Sequence, residues 1–158
     1  MAMKLKILFV CTGNICRSPA AEEVFRQKVI ERGLADEFHI DSAGMHGFHE
    51  GELPDRRMRQ HAAKRGYKLT SHSRPIQDRD YWAFDYIIYM DDNNRYALER
   101  LSPDAKSLHK LHRMTDYCKE HEADHVPDPY YGGEYGFELV LDLLEDACEG
   151  LLEELSRK

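Results

Sequence analysis

The sequence predicts an α/β fold: a single domain, 1–158, with a central four-stranded parallel sheet and helices on both faces. Three observations lead to this prediction. Short apolar runs typical of buried strands alternate along the chain with segments of helical periodicity. A turn-forming segment, 11–18, follows the first of these runs. The length of 158 residues is typical of one domain that folds without a metal or disulfide.

The strand predictions rest on runs of apolar and β-branched residues bounded by turn formers. These runs place strands at 4–10 (KLKILFV), 37–42 (EFHIDS), 85–90 (DYIIYM) and 106–111. The segments between them are long enough for crossover helices, which parallel pairing requires. In such sheets ligands bind at the carboxyl ends of the strands, and segment 11–18 lies at one of these ends.

The helix predictions rest on apolar residues spaced three or four apart. Ser18 as N-cap and Pro19 at the first helical position predict a helix that ends near Gly33. Similar patterns predict further helices at 55–65, 77–82, 92–101 and 137–155. Residues 112–133 are predicted to form a long loop, because prolines and a glycine pair interrupt them.

Composition limits the possible functions. The net charge is −7, with 29 acidic and 22 basic residues, which argues against a nucleic-acid-binding protein that works by general charge attraction. No apolar run reaches the ~20 residues of a membrane span, and the run at 5–10 is too short for a secretion signal. We therefore expect a cytoplasmic protein without a membrane span. The sequence does not determine its oligomeric state, for which a monomer is favoured. Its four cysteines are better explained by chemistry than by disulfides.

Segment 11–18 (CTGNICRS) has the composition of a phosphate-binding loop. Between a strand and a helix N-terminus, successive backbone N–H groups form a cradle for an anion. Arg17 adds a planar fork of donors that matches two phosphate oxygens. Cys11 lies at the base of this cradle as a nucleophile whose thiolate form the loop would stabilise, and Ser18 can donate to its sulfur. The predicted loop comprises Thr12, Gly13, Asn14, Ile15, Cys16, Arg17 and Ser18.

These residues carry a resemblance to a known family. The pattern C-x5-R-S directly after the first strand, here CTGNICRSP, resembles that of the low-molecular-weight protein tyrosine phosphatases. Asp128-Pro129-Tyr130-Tyr131-Gly132 resembles the general-acid segment of that family, and it falls at the expected late position. Ser42, His72 and Met90-Asp91 also fit, so the resemblance covers essentially the whole chain.

The resemblance implies a cysteine-dependent phosphatase that acts on phosphotyrosine-containing proteins without a cofactor or metal. Cys11 would attack phosphorus, Arg17 would bind the phosphoryl group, and Asp128 would act as general acid and then as general base. Asn14, Ser42 and His72 would support the loop. The substrate pocket walls would be Phe48, Tyr130 and Tyr131. From its position on the same loop, Cys16 is a possible redox partner of Cys11.

Three alternatives are set against this interpretation. A thiol-dependent arsenate reductase has the same fold, but it needs further cysteines near the loop, and 90–101 contains none. An inactive phosphotyrosine-binding module would be expected to lack Cys11, Arg17 or Asp128. The remaining cluster, His109, His112, Cys118, His121 and His125, has a loose spacing for a metal site and is expected to be surface polar residues.

Overall fold

The computed structural model describes residues 3–131 and 133–157. Four strands form one parallel sheet: β1 (Leu5–Cys11), β2 (Phe38–Gly44), β3 (Tyr86–Tyr89) and β4 (Leu111–Arg113). Five helices accompany them: α1 (Arg17–Glu31), α2 (Arg56–Lys64), α3 (Asp78–Ala83), α4 (Asp92–Leu101) and α5 (Gly133–Ser156). The α/β class and the four-stranded parallel sheet are thus confirmed.

The core lies on both faces of the sheet. Successive strand residues point to opposite faces, and β1 is apolar and buried on both faces from Ile7 to Cys11. Ile7 and Phe9 pack in the larger cluster with α1 and α5, whereas Leu8 and Val10 pack in a second cluster on the other face, which includes residues of α3 and α4. Because both faces of β1 are buried, its position is fixed and so is that of the loop that leaves it.

The strand order is β2-β1-β3-β4. The strands that follow β1 in the sequence are therefore added first on one side of it and then on the other. The chain leaves β1 to form β2 on one side and later returns to form β3 on the other. At such a point the connections diverge and leave a crevice at the carboxyl ends of the strands. The segment after Cys11 occupies this crevice.

The structure corrects two of the predicted boundaries. Ser18 is not the N-cap of α1, because the helix begins at Arg17 after Cys16, and the Ser18 hydroxyl is engaged by Cys11 and Asn14 instead. The predicted strand 106–111 is a 3-10 helix over Lys106–Lys110, and β4 comprises only the three residues that follow.

Residues 112–133 are more ordered than a plain loop. They contain most of β4 and two further 3-10 helices, Met114–Tyr117 and Pro129–Tyr131. Local 3-10 turns have weak periodicity, which sequence patterns detect poorly. Among the described residues, no helix has the length and apolar character needed to cross a membrane.

Candidate active site

The predicted nucleophile is the last residue of β1. Cys11 is only 2% exposed, and its sulfur lies 3.0 Å from the Ser18 hydroxyl oxygen and 3.4 Å from the Ser18 backbone nitrogen. Both groups come from the first turn of α1, where unpaired N–H groups and the helix dipole favour negative charge. The reactive form of a cysteine is its thiolate, and a thiolate at this position would accept hydrogen bonds from both groups.

Arg17 is buried beneath the loop, with 2% of its surface exposed. One guanidinium nitrogen, Nη1, donates to Asp91 Oδ2 at 2.6 Å and to the Val126 carbonyl at 3.0 Å, and Nη2 donates to Thr12 Oγ1 at 3.2 Å. Burial alone would lower the pKa of Arg17, but the negative charges of Cys11 and Asp91 raise it above its usual value. A permanent positive charge is therefore fixed at the base of the crevice.

Asp91 is the residue that orients this guanidinium. It is the N-cap of α4, and its other oxygen, Oδ1, accepts the backbone N–H of Asn94 at 2.8 Å. The Asn94 side chain in turn donates to Thr12 Oγ1 at 3.2 Å. The end of β3 and the start of α4 thus hold both Arg17 and the first residue of the loop.

Asn14 ties the loop together from inside. It is buried and has a φ of 58°, a left-handed conformation that only a few non-glycine residues tolerate. Its amide nitrogen donates to Ser18 Oγ at 2.7 Å and Ser42 Oγ at 3.0 Å, and its oxygen accepts the Arg74 N–H at 3.0 Å. Ser42 donates to Glu22 Oε1 at 2.6 Å. These are the contacts that the loop-support hypothesis requires of Asn14 and Ser42.

His72 is a correction to that hypothesis. Its side chain is exposed, and within the described residues no hydrogen bond joins it to the loop. The next residue, Ser73, is buried and donates to the Gly13 carbonyl at 3.0 Å. The sequence thus predicted the correct segment but the wrong residue within it. Only the tertiary structure decides which of two adjacent side chains faces the loop.

Gly44, which the sequence analysis did not single out, allows the loop to pack against the end of β2. A Cβ atom there would lie 3.0 Å from both the Gly13 carbonyl carbon and the Thr12 oxygen. Both of these atoms belong to the backbone, so they would not move easily out of the way. No short motif marks this glycine, since the requirement comes from a chain segment 30 residues away.

Asp128 lines the same cavity as Cys11. Its carboxylate is partly exposed, its Oδ1 accepts the Tyr130 N–H at 3.0 Å, and its Oδ2 lies 3.8 Å from Arg17 Nη2. The segment is anchored by Val126, whose N–H donates to the Met90 carbonyl at 2.8 Å. Segments far apart in the sequence thus bring a carboxylate to the same cavity as the thiol and the guanidinium.

The cavity has a volume of about 240 Å³. Its lining comprises loop residues, two histidines, and the segment with the carboxylate: Cys11, Thr12, Gly13, Ile15, Cys16, Arg17, His46, His49, Asp128 and Tyr130. The two histidines were not among the predicted wall residues. Burial, followed by the charge of His49, lowers the pKa of His46, which favours its neutral form.

Of the three predicted wall residues, the structure puts Tyr130 in the lining. Phe48 is 84% exposed and lies outside the lining, with its ring stacked on His46 at a centroid distance of 4.1 Å. The side chain of Tyr131 lies outside the described residues, and so does Gly132. The aromatic edge of the cavity is therefore built in two layers, with His46 inside and Phe48 outside.

All four cysteines are free thiols. Cys16 is buried and lines the same cavity as Cys11, and burial raises the pKa of its thiol. Cys118 and Cys148 contact the Leu143 and Ala21 carbonyls in the packing around α5, away from the cavity. In the part of the chain that is described, no group of three or more His, Cys, Asp or Glu side chains is arranged to hold a metal ion.

The chain is similar to known proteins over nearly all of its length. The model of the family "Low molecular weight phosphotyrosine protein phosphatase" matches residues 6–158. A low molecular weight protein-tyrosine-phosphatase of Streptomyces coelicolor is 42% identical over 95% of this chain and 93% of its own. The crystal structure of a protein tyrosine phosphatase from Entamoeba histolytica superposes with a TM-score of 0.94 at 46% identity, over 98% of each chain. The Drosophila arginine phosphatase superposes with a TM-score of 0.89 at 32% identity, over 96% of this chain and 98% of that one.

Proposed function

Because the chain belongs to the low molecular weight phosphotyrosine protein phosphatase family, we propose that it hydrolyses phosphotyrosine in proteins through a phosphocysteine intermediate on Cys11. One observation carries the proposal: the Cys11 thiol, the Arg17 guanidinium and the Asp128 carboxylate face one cavity, whose floor is a loop between a strand and a helix. These three groups are what a cysteine-dependent phosphoryl transfer needs.

In the first step the Cys11 thiolate attacks phosphorus in line with the tyrosine oxygen. The sulfur–phosphorus bond forms as the phosphorus–oxygen bond breaks, and protonated Asp128 gives its proton to the departing phenolate oxygen. Arg17 and the backbone N–H groups of 12–17 stabilise the charge on the transferring oxygens. The hydrogen bond of Arg17 to Asp91 fixes the guanidinium in place beforehand, so little reorganisation is needed in the transition state.

In the second step water replaces tyrosine. The Asp128 carboxylate accepts a proton from the attacking water, the new oxygen–phosphorus bond forms, and the sulfur–phosphorus bond breaks. Cys11 leaves as a thiolate, which Ser18 stabilises through its hydroxyl and its backbone N–H. Inorganic phosphate is released and the enzyme returns to its starting state. The chain's own residues thus supply the nucleophile, the acid and the base.

Preference for phosphotyrosine is supported by the depth of the site. Cys11 is almost fully buried, so a substrate must extend its phosphate to the cavity floor. Tyr130 and His46, which stacks on Phe48, both line this cavity and are available to contact a bound phenyl ring. We expect the shorter side chain of phosphoserine not to bring its phosphorus to the sulfur. We propose Phe48 as an outer wall that the bound ring or the surrounding peptide contacts, and Tyr131 remains a predicted wall residue.

The arsenate reductase alternative has less support. Such an enzyme needs further thiols that resolve an adduct on the first cysteine. Apart from Cys11, only Cys16 lines the cavity, and Cys118 and Cys148 are engaged around α5. The four free thiols are compatible with a reducing compartment, so we retain the proposal of a cytoplasmic enzyme, and we expect it to act as a monomer.

The proposal is tested by initial rates on matched phosphotyrosine, phosphoserine and phosphoarginine peptides in EDTA, for the wild type and Cys11→Ser. Turnover of phosphotyrosine alone, abolished by the substitution, is the expected result. Turnover of phosphoarginine that is faster than that of phosphotyrosine would instead indicate an arginine phosphatase, as the Drosophila relative is named. Wild-type protein inactive on all three would overturn the proposal, and arsenate reduction with a thiol donor would then be measured.

A further inference from the structure

Arg57 lies in the first turn of α2, between the phosphate-binding loop and the segment that contains Asp128. Its guanidinium carbon is 5.4 Å from the centroid of the Tyr130 ring and 4.9 Å from that of Phe137. Both distances are within the range of a cation–π interaction. One cation therefore contacts a wall of the cavity and the first turns of α5 together.

Arg57 is tied to the phosphate-binding loop through Asp55. The Asp55 N–H donates to the Ile15 carbonyl at 2.7 Å, so the residue before α2 is bonded directly to the loop. Its carboxylate caps the helix by accepting the N–H groups of Arg57 at 2.8 Å and Met58 at 3.2 Å. Asp55 Oδ2 also lies 3.4 Å from Arg57 Nη2. The position of the guanidinium is therefore set relative to the loop that holds Cys11.

On its other side, Arg57 is connected to Asp128 through Tyr130. The guanidinium contacts the Tyr130 ring, and the Tyr130 backbone N–H donates to Asp128 Oδ1 at 3.0 Å. Phe137, the second ring under the guanidinium, is fully buried and also stacks on His61 at 5.3 Å. The start of α5 is thereby held against α2, which limits how far the chain bearing Asp128 can move from the loop.

We propose that Arg57 is a positioning residue for the proton transfer: it holds Tyr130, and through Tyr130 the Asp128 carboxylate, at a fixed distance from Cys11. This rests on the proposed function. The role of Arg57 should matter only for substrates whose leaving group must receive a proton from Asp128. A substrate whose leaving group departs without protonation has no need of a positioned acid, so it should be indifferent to Arg57.

The test uses Arg57→Met, which keeps much of the aliphatic length and removes the charge. Arg56→Met is the matched control, because Arg56 is exposed and makes no hydrogen bond or ion pair in the described part of the chain. We expect Arg57→Met to lower kcat/KM for phosphotyrosine by about threefold to tenfold and for 2,4-dinitrophenyl phosphate by less than about twofold. The first value is in line with the loss of the cation–π contact to Tyr130. Arg57→Lys, which retains a cation, should recover part of the loss.

Two further measurements distinguish a positioning role of Arg57 from a general disruption of the active site. Inhibition by inorganic phosphate should be unchanged in Arg57→Met, since that ligand needs only the loop. Adding Arg57→Met to Asp128→Asn should cost nothing further, because the residue acts through the acid. Should Arg57→Met fail to fold, the same measurements on Arg57→Lys and Arg57→Gln decide the question.

Three outcomes would overturn the inference: an equal loss for both substrates, weaker phosphate inhibition, or the same loss in Arg56→Met. Each leaves the proposed function intact, provided that the wild type hydrolyses phosphotyrosine. Failure of the wild type on phosphotyrosine is the separate result that removes the proposed function itself.

Discussion

Replacing Asn14 by alanine should destabilise the protein by about 3 to 5 kcal/mol and disorder the phosphate-binding loop. Two costs add up. Alanine at a φ of 58° loses about 1 kcal/mol or more, because its Cβ crowds the backbone in the left-handed region. The three hydrogen bonds that the Asn14 side chain makes, two from its nitrogen and one to its oxygen, are worth about 1 kcal/mol each.

The size of the destabilisation within this range depends on the hydrogen-bond partners that Asn14→Ala leaves behind. Ser18 and Ser42 are buried, so their hydroxyls lose a donor in a place that water reaches poorly. The Ser18 hydroxyl is also hydrogen-bonded to the Cys11 sulfur. The variant should therefore bind inorganic phosphate more weakly as well as unfold more easily.

Asn14→Gly separates the two costs. Glycine accepts the left-handed conformation without strain but makes none of the side-chain hydrogen bonds, so its destabilisation should be smaller than that of alanine by about 1 kcal/mol. Equilibrium urea unfolding at neutral pH measures both values, and phosphate inhibition measures the loop. A cost below about 1 kcal/mol for Asn14→Ala would refute the reasoning, as would equal costs for alanine and glycine.

Three further outcomes are expected. Gly150→Ala should destabilise the protein although alanine normally favours a helix, because the new Cβ would overlap the Tyr117 carbonyl oxygen; thermal unfolding measures this. Asp146→Ala should cost about 2 to 4 kcal/mol at pH 7, and the difference from wild type should shrink below about pH 4 in urea titrations. Mild peroxide should join Cys11 to Cys16 and protect the nucleophile, which peptide mass spectrometry detects as a bridged loop peptide.

The sign of the Asp146 prediction follows from its contacts. Burial alone would raise the pKa of Asp146, but hydrogen bonds from the backbone N–H groups of 119–121 and from the His121 side chain lower it below its usual value. A carboxyl with a lowered folded pKa contributes stability above its unfolded pKa and loses it as the pH falls through the folded value. A difference that stays constant down to pH 2 would contradict this.

Each of the other two predictions has its own control. Gly136 is also in α5, and a Cβ there would meet only ordinary contacts at 3.7 Å from Pro129, so Gly136→Ala should be neutral or stabilising. A Gly150→Ala variant as stable as Gly136→Ala would show that the overlap is relieved without cost. For the redox prediction, finding only sulfinic acid on Cys11 after peroxide would rule out the protective bridge.

The features that could be predicted best from the sequence are those set by residues close together in the chain. Cys11, Arg17 and Ser18 belong to one continuous segment whose residue types and spacing already define a strand, a turn and a helix start. Asp128 is distant, and it was identified only because the DPYYG segment resembles a known family pattern. The long amphipathic α5 and the mostly apolar β1 were predictable for the same local reason, since each is a continuous segment with a recognisable apolar pattern.

What the sequence missed depends on tertiary packing. Ser73 rather than His72 faces the loop, a choice that one residue of register reverses. Gly44 is needed only because the loop packs against it. Arg57 meets Tyr130 through the docking of α2 against α5, helices that are far apart in the chain. None of these three contacts has a short-range sequence signal.

The most direct test of the central claim is to trap the covalent intermediate. Asp128→Asn is mixed with an activated aryl phosphate, whose leaving group needs no proton, so the first step proceeds while the second lacks its base. The reaction is quenched and the peptides are analysed by mass spectrometry. The account predicts one phosphoryl group on Cys11, and none when Cys11→Ser is added. A phosphoryl group on any other residue, or turnover that survives Cys11→Ser, would contradict it.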